Sequence, residues 1–158
     1  MSTVCLRAAR EEDLAWLFEA FKTTLKPYVE WAWGWDEDFQ RNGLYKHALD
    51  ADFRLVIVDD KLAGGIRTEE QDSLLFVRLI FLLPEFQRRE IGSGLLRAEA
   101  MRAKTLNKQL HLKVVRTNPA KALYERMGFF VIEEDQATYH MRLPDTAEHT
   151  PIPTESTA

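Results

Sequence analysis

The chain has 158 residues, which favours a single domain large enough to bury a core. Hydrophobic residues make up 46% and charged residues 29% of the sequence, a composition typical of a soluble globular protein and not of a disordered or fibrous one. The net charge of −4 disfavours nucleic acid and anionic membranes as partners, because the overall field repels both. The single cysteine, Cys5, allows neither an internal disulfide nor a cysteine metal cluster, so we expect a cytoplasmic protein without a metal.

The first part of the sequence predicts a strand followed by two helices. Residues 4–8 read as a short strand, and apolar residues spaced by three and four predict an amphipathic helix over 11–24. We expect Pro27 to end this helix, and the tryptophans that alternate over 31–35 to lie in a short extended segment. A second helix is predicted over 36–49.

A hairpin and a central strand come next. Residues 53–58 and 61–68 predict two paired strands, because Asp59 and Asp60 between them suit a tight turn. Residues 74–83 are apolar on both alternating faces, which predicts a strand covered on both sides at the centre of a sheet.

The remaining elements complete an α/β pattern. Asn118 and Pro119 are strong start signals for a short helix, and Gly128 is a strong stop signal. The order of elements predicts a mixed, mostly antiparallel central sheet with helices on both faces. We expect one domain over 1–143 and a disordered, acidic tail rich in Pro and Thr over 144–158. The other predicted elements are a helix over 92–106, a strand over 110–115, a helix over 120–127 and strands over 129–133 and 139–143.

The segment that carries the most chemical information is LIFLLPEFQRREIGSGLL, residues 79–96, which predicts a buried strand, a tight turn and a helix. Amides at a helix N-terminus attract anions, Gly92 and Gly94 let a phosphate approach the backbone, and Arg88 and Arg89 add charge. The alternative is a turn that simply needs glycine, with two solvated arginines. Neither the nucleotide-triphosphate loop nor the dinucleotide fingerprint occurs, which disfavours NTP hydrolysis and hydride transfer.

The loop Gln87-Arg88-Arg89-Glu90-Ile91-Gly92 resembles the acyl-CoA loop of the GNAT superfamily of N-acetyltransferases, whose pattern is Gln/Arg-x-x-Gly-x-Gly/Ala. The block LRAAREEDLAWL is similar to the first strand and helix of that family, and NPAKALYERMGF to its last conserved block. The resemblance implies a GNAT-like acyltransferase fold and acetyl-CoA as the co-substrate. Members of the family often form homodimers, so a homodimer is also an expectation.

The resemblance also implies roles for individual residues. The backbone of Leu82 would pair with pantetheine, the amides from Arg88 to Ser93 would hold the pyrophosphate, and Asn118 would lie near the thioester. Glu90 replaces the first glycine of the pattern; in a left-handed conformation a side chain there costs ~1–2 kcal/mol. The predicted cofactor-binding residues are Leu82, Gln87, Arg88, Arg89, Glu90, Ile91, Gly92, Ser93, Gly94 and Asn118.

Tyr124 is the predicted catalytic residue. Acyl transfer to an amine expels a thiolate, and a phenol within hydrogen-bond reach can protonate it. The alternatives are that Tyr124 is a packed helix residue and that Asn118 is only a helix cap. The base that deprotonates the amine stays open, with Glu69, Glu70, Asp72, His140 or a chain of waters as candidates.

The acceptor side is predicted at Trp33, Trp35, Asp36 and Glu37. Aromatic rings beside carboxylates suit a cationic amine through cation–π and charge attraction. Packing of the tryptophans, with the two acids at the start of a helix, explains the same residues equally well.

These observations predict an N-acetyltransferase that moves an acetyl group from acetyl-CoA to a primary amine of a small molecule, by direct attack in a ternary complex. A non-catalytic acyl-CoA sensor or scaffold and a peptide or protein N-acetyltransferase are the alternatives. Nucleic acid and membranes are not expected as partners.

Overall fold

The computed structural model describes residues 2–145. Most of the predicted tail, residues 146–158, lies outside the described residues, so its disorder stays a prediction. In chain order the elements are β1 (Val4–Ala8), α1 (Leu14–Trp33), α2 (Glu37–Ala48), β2 (Phe53–Val58), β3 (Lys61–Glu70), β4 (Leu74–Leu82), α3 (Ile91–Thr105), β5 (Gln109–Val115), α4 (Ala120–Arg126), β6 (Phe130–Glu134) and β7 (Thr138–Arg142).

The strands form one seven-stranded sheet in the order β1-β2-β3-β4-β5-β7-β6. β4 and β5 are parallel and the other neighbouring pairs are antiparallel. Adjacent strand residues point to opposite faces: Leu55 packs in a cluster with Phe18 of α1, whereas Val56 packs in a cluster with Leu95 of α3. The predicted mixed, mostly antiparallel sheet with helices on both faces is therefore confirmed.

Helix α1 continues through Pro27 to Trp33, so the prediction that Pro27 ends it is wrong. A proline inside a helix costs ~3 kcal/mol because it removes a hydrogen bond and crowds the preceding turn. Leu17, Phe18 and Phe21 are buried on the helix, and full burial of each such side chain contributes ~1.5–3 kcal/mol. Packing of the helix on the sheet therefore outweighs the local penalty.

The same correction applies to the tryptophans. Trp31 and Trp33 lie in the last turns of α1 and not in an extended segment. The helix ends at Gly34, whose φ of 79° is a conformation that favours glycine. Gly34 was the actual stop signal in the sequence, and Pro27 was not.

Two short local predictions are confirmed. Asp59 and Asp60 form the turn between β2 and β3, with φ values of 50° and 69°. Gly128 ends the segment after α4 with a φ of 104°. Both sites need left-handed backbone, which Asp, Asn and Gly adopt at the lowest cost.

Strands β4 and β5 separate along their length, and this separation positions the site. They pair only over residues 74–77 and 109–112, although β4 continues to Leu82 and β5 to Val115. Beyond the paired part, the two strands leave a gap in the middle of the sheet. On the other side of β4, Gly64 of β3 packs so tightly that a Cβ there would overlap the carbonyl oxygen of Phe81.

Candidate active site

Two adjoining clefts open where β4 and β5 separate. The loop cleft, about 550 Å³, lies between the end of β4, the segment 87–93 and α4. The strand cleft, about 300 Å³, lies between α1, β4, β5 and the turn that joins β6 to β7. The residues that line both are Leu25, Tyr28, Ile80, Asn118 and Tyr124.

The segment before and within the first turn of α3 presents free backbone amides. The N–H of Gln87 bonds to the Pro84 carbonyl and that of Gly94 to the Glu90 carbonyl. Within the part of the chain that the structure describes, the N–H groups from Arg88 to Ser93 have no hydrogen-bond partner. They lie at the positive end of the α3 dipole, so the segment is suited to an anion.

Two residues of this segment that are not glycine have a strained backbone. Arg88 and Glu90 both have a φ of 61°, in the left-handed region that favours glycine. Glu90 lies where the resemblance expects glycine, so the conformational cost expected for a side chain applies there. Glu90 also belongs to the lining of the loop cleft, and its own N–H is one of the free amides.

Gly92 and Gly94 differ in their surroundings. A Cβ at Gly92 would lie 3.8 Å from Leu82 Cδ1 and 3.9 Å from Leu123 Cδ2, which is ordinary contact. Packing therefore does not require this glycine, but a side chain would fill space in the loop cleft that the residue lines. Gly94 has open space around its Cα and is not among the described residues that line either cleft.

The arginines around the loop point in different directions. Arg89 donates to Ser2 Oγ at 2.9 Å and to the Glu85 carbonyl at 3.2 Å, so its guanidinium is held away from the loop cleft. Arg88 lines the cleft, and so does Arg126 at the end of α4. Neither forms a salt bridge within residues 2–145. Sequence reasoning missed Arg126, because a basic residue at a helix C-terminus is already explained by the helix dipole.

The side chains of the loop mainly hold the loop in place. Gln87 Nε2 donates to the Leu82 carbonyl at 2.8 Å. The N–H of Leu83 bonds to β3, so by alternation the polar groups of Leu82 face the gap beside β5. Ser93 Oγ donates to the Glu90 carbonyl at 3.1 Å, and Ile91 is buried in the core. Ile91 and Ser93 thus offer a ligand their backbone N–H groups, like the other residues from Arg88 to Ser93.

Tyr124 lies at the junction of the two clefts. The residue is 7% exposed, and its hydroxyl group has no hydrogen-bond partner among residues 2–145. Burial raises the pKa of Tyr124 to about 12, so the phenol keeps its proton at neutral pH. The Oδ1 atom of Asn118 accepts a hydrogen bond from the Ala120 N–H at 2.9 Å. Asn118 therefore caps α4 and lines both clefts, which joins the two roles considered for it.

Of the four residues predicted on the acceptor side, Trp35 and Glu37 contact each other, but neither lines the strand cleft. Trp35 stacks on Phe18 and its Nε1 donates to Glu37 Oε1 at 2.7 Å. Lys22 Nζ donates to Glu37 Oε2 at 2.8 Å, which lowers the pKa of Glu37. Asp36 caps α2 by accepting the Phe39 N–H at 3.0 Å.

Only Trp33 of these four lines the strand cleft, and its side chain is 63% exposed. The contacts of Trp35, Asp36 and Glu37 are those of packing and helix capping, the alternative considered for them. Sequence reasoning also missed several polar residues of the strand cleft, which are Tyr28, Arg78, Lys113 and Asp135.

Charged partners already occupy two of the candidate bases. Glu69 accepts a hydrogen bond from Arg78 Nε at 2.8 Å, and Glu70 from Lys108 Nζ at 2.7 Å. Both contacts lower the pKa of the carboxyl group, which makes it a weaker base. The third acid considered, Asp72, lines neither cleft among the described residues, whereas His140 lies on β7 beside them.

Within residues 2–145, no helix combines the length and apolar character that crossing a bilayer requires. No group of His, Cys, Asp and Glu in the same part of the chain is arranged to hold a metal ion.

Comparisons with known proteins agree with this geometry. The family model of the acetyltransferase (GNAT) domain matches residues 30–145. A comparison with curated proteins found no match.

Solved structures show a similar fold at low sequence identity. The PaiA N-acetyltransferase from Thermoplasma acidophilum in complex with coenzyme A is 22% identical, with a TM-score of 0.68 over 90% of this chain and 99% of that one. Arabidopsis thaliana Naa50 in complex with the bisubstrate analogue CoA-Ac-MVNAL is 20% identical, with a TM-score of 0.61 over 90% and 99%. An acetyltransferase from Thermus thermophilus is 17% identical, with a TM-score of 0.70 over 90% and 97%.

Proposed function

The chain belongs to the GNAT acetyltransferase family, whose enzymes use acetyl-CoA as co-substrate, and we propose that its acceptor is the primary amine of a small molecule. We propose further that the amine attacks the thioester directly while both substrates are bound. The observation that carries this proposal is the row of free amides from Arg88 to Ser93 beside a cleft that ends at a protonated Tyr124.

The residues of the loop cleft fit acetyl-CoA. The free amides offer donors to a pyrophosphate, and the lack of a side chain at Gly92 leaves room for it to approach. Arg88 and Arg126 supply positive charge that no acidic side chain of residues 2–145 neutralises through a salt bridge. At Leu82 the edge of β4 faces the gap and offers its N–H to the pantetheine arm, while the carbonyl already accepts a hydrogen bond from Gln87.

Tyr124 supplies the proton for the leaving group. The Tyr124 hydroxyl group carries its proton at neutral pH and can donate it to the sulfur as the carbon–sulfur bond breaks. Acetyl-CoA supplies an activated acetyl group, and the chain contributes mainly by holding the two reactants in line. Such positioning accounts for much of the rate in reactions of this kind.

The size of the strand cleft favours a small acceptor. A volume of about 300 Å³ holds a small molecule, and Tyr28 and Trp33 form aromatic walls. A peptide N-terminus is the second candidate, since the similar Naa50 structure contains a bisubstrate analogue with a peptide part. The exposed face of Trp33 is where a longer acceptor would leave the cleft.

Calorimetry followed by an acceptor screen tests the proposal. We expect the protein to bind acetyl-CoA and to release free CoA thiol with small primary amines faster than with short peptides. Faster turnover with peptides would replace the small-molecule acceptor by a peptide. Binding without turnover on either panel would favour the sensor or scaffold alternative and refute the proposed function.

The remaining expectations on location and assembly are part of the proposal. Cys5 is a free, exposed thiol, which supports a reducing compartment such as the cytoplasm. A homodimer stays a prediction that sedimentation of the purified protein would test.

A further inference from the structure

Two histidines form a hydrogen-bonded pair on the face of the sheet next to the strand cleft. His111 Nδ1 on β5 lies 2.8 Å from His140 Nε2 on β7. His111 Nε2 lies 2.9 Å from Gln109 Oε1, and His140 Nδ1 lies 3.5 Å from Glu133 Oε1 on β6. The chain of contacts crosses three neighbouring strands.

The partners at one end determine which ring nitrogens carry protons. Gln109 Nε2 donates to Asp145 Oδ2 at 3.3 Å, which leaves the Gln109 carbonyl oxygen facing His111. A carbonyl oxygen only accepts, so His111 Nε2 carries the proton and His111 Nδ1 has a lone pair. His140 Nε2 must then donate to that lone pair. The one nitrogen left to gain a proton is His140 Nδ1, which faces the carboxylate of Glu133.

Burial supports this assignment. His111 is 6% exposed, and burial, together with the charges of His140 and Arg142, lowers the pKa of His111. The neutral form of His111 is therefore the stable one, as the hydrogen-bond pattern requires. The charged groups around the pair on neighbouring strands are Glu133, Lys113, Arg78, Arg142 and Asp145.

His140 lines a cleft that adjoins the strand cleft. A third cleft of about 450 Å³, the histidine cleft, is lined by His140 and Glu133 together with Lys113, Asp135 and Thr138. The last three residues also line the strand cleft, so the two clefts adjoin. In the sheet register Lys113 lies directly opposite His140. Water in these adjoining clefts can thus connect an acceptor amine with His140 Nδ1.

We propose that His140 Nδ1 receives, through water, the proton that the acceptor ammonium must lose before it attacks, and that His111 is the positioning residue that fixes the His140 ring. This inference rests on the proposed function, because it concerns the same acceptor. Glu133 Oε1, 3.5 Å from His140 Nδ1, can accept a hydrogen bond from the proton that arrives there.

His140 and Tyr124 together account for every proton that moves in the reaction. The ammonium gives its first proton to His140 and the neutral amine forms a bond to the acetyl carbon. The carbon–sulfur bond then breaks, the sulfur takes the proton of the Tyr124 hydroxyl group, and Tyr124 regains a proton from the new amide nitrogen. The proton on His140 passes to solvent, which gives the amide, CoA thiol and one proton.

The pH dependence of kcat/KM for the amine tests this role. His140→Gln keeps a side-chain N–H for His111 Nδ1 but has no site for a proton. We expect it to lower kcat/KM about 100-fold near neutral pH, with KM for acetyl-CoA unchanged. It should also remove the bend on the acidic side of the pH profile of kcat/KM. His111→Asn, which keeps an acceptor for His140 Nε2, should retain the bend. A His140→Gln profile that coincides with that of the native protein overturns the proposal.

Ring-nitrogen NMR of the native protein gives a readout that needs no turnover. At neutral pH we expect His111 and His140 each to carry a proton on Nε2, as their hydrogen-bond partners require; a proton on His111 Nδ1 overturns the assignment. Native protein that transfers acetyl to no amine refutes the proposed function itself. Native turnover with an unaltered His140→Gln profile refutes only the role of His140.

Discussion

Replacing Glu90 with glycine should change both the stability of the protein and its affinity for acetyl-CoA. The residue has a φ of 61°, lines the loop cleft and lies within the row of free amides. Glycine removes a left-handed strain of about 1–2 kcal/mol and adds about 0.5–1 kcal/mol of chain entropy to the unfolded state. The free energy of unfolding should therefore rise by roughly 0.5–1 kcal/mol.

The same substitution should strengthen binding of acetyl-CoA. Repulsion between the Glu90 carboxylate and a pyrophosphate a few ångströms away is about 1 kcal/mol in solvent. Its removal corresponds to a roughly fivefold lower Kd, because about 1.4 kcal/mol corresponds to tenfold. The assays are urea unfolding of the free protein and calorimetry with acetyl-CoA at low salt, since added salt screens the repulsion.

Glu90→Gln is the matched control, because it removes the charge and keeps the Cβ. We expect it to lower Kd for acetyl-CoA as glycine does but not to raise the free energy of unfolding, because it keeps the left-handed side chain and loses the attraction of a carboxylate to the N-terminus of α3. The reasoning is refuted if glycine destabilises the protein, or if neither variant changes Kd.

Three further substitutions probe other parts of the site and fold. Tyr124→Phe should lower kcat about 100-fold while Kd for acetyl-CoA changes little, and an unchanged kcat in rapid-quench assays would exclude the acid role. Arg126→Ala should weaken acetyl-CoA binding several-fold in calorimetry, whereas Arg89→Ala should not, because its guanidinium is held away from the cleft. Gly64→Ala should destabilise the protein by about 2 kcal/mol or more in urea unfolding, since its Cβ would overlap the Phe81 carbonyl oxygen; a variant as stable as the native chain would show that β3 shifts freely.

Local chemistry explains which parts of the fold the sequence predicts well. Asp59 and Asp60 form the hairpin turn and Asn118 caps α4, because each acts through backbone within a few residues. Pro27 shows the limit of such reasoning. Its effect on α1 depends on how much apolar surface the helix buries against the sheet, and that surface belongs to strands that follow later in the chain.

In the candidate site, too, some features follow from local sequence and others depend on tertiary packing. The loop amides and Tyr124 follow from contiguous motifs, whereas the acceptor side assembles from α1, β4, β5 and the turn before β7. Trp35 illustrates the difficulty. Next to Asp36 and Glu37 its ring suggests an amine site, but it stacks on Phe18 and Phe21 of the preceding helix, contacts that favour the packing alternative. The His111–His140 pair depends on strand register, which no local pattern specifies.

The burial of His111 also predicts how stability changes with pH. Burial lowers its pKa in the folded protein, while the unfolded chain has the ordinary value near 6.5. As the pH falls below 6.5 the unfolded state gains a proton that the folded state does not, so stability decreases until the pH passes the lower, folded pKa. One proton changes the free energy of unfolding by at most about 1.4 kcal/mol per pH unit. The paired carboxylates Asp13 and Glu37 also have lowered pKa values, but their losses begin only near their ordinary values, below pH 5.

Urea unfolding between pH 7.5 and 5.5 measures the contribution of His111 to this pH dependence. Two variants are compared, and both lack His140. The single variant His140→Gln keeps the buried His111, and the double variant His140→Gln with His111→Gln does not. We expect the single variant to lose more stability than the double variant over this range, because burial, the larger cause of the lowered pKa, persists without His140. Equal losses would mean that the buried ring gains its proton in the folded state as readily as in the unfolded chain, and that the neutral tautomer assigned to His111 is not held by the fold.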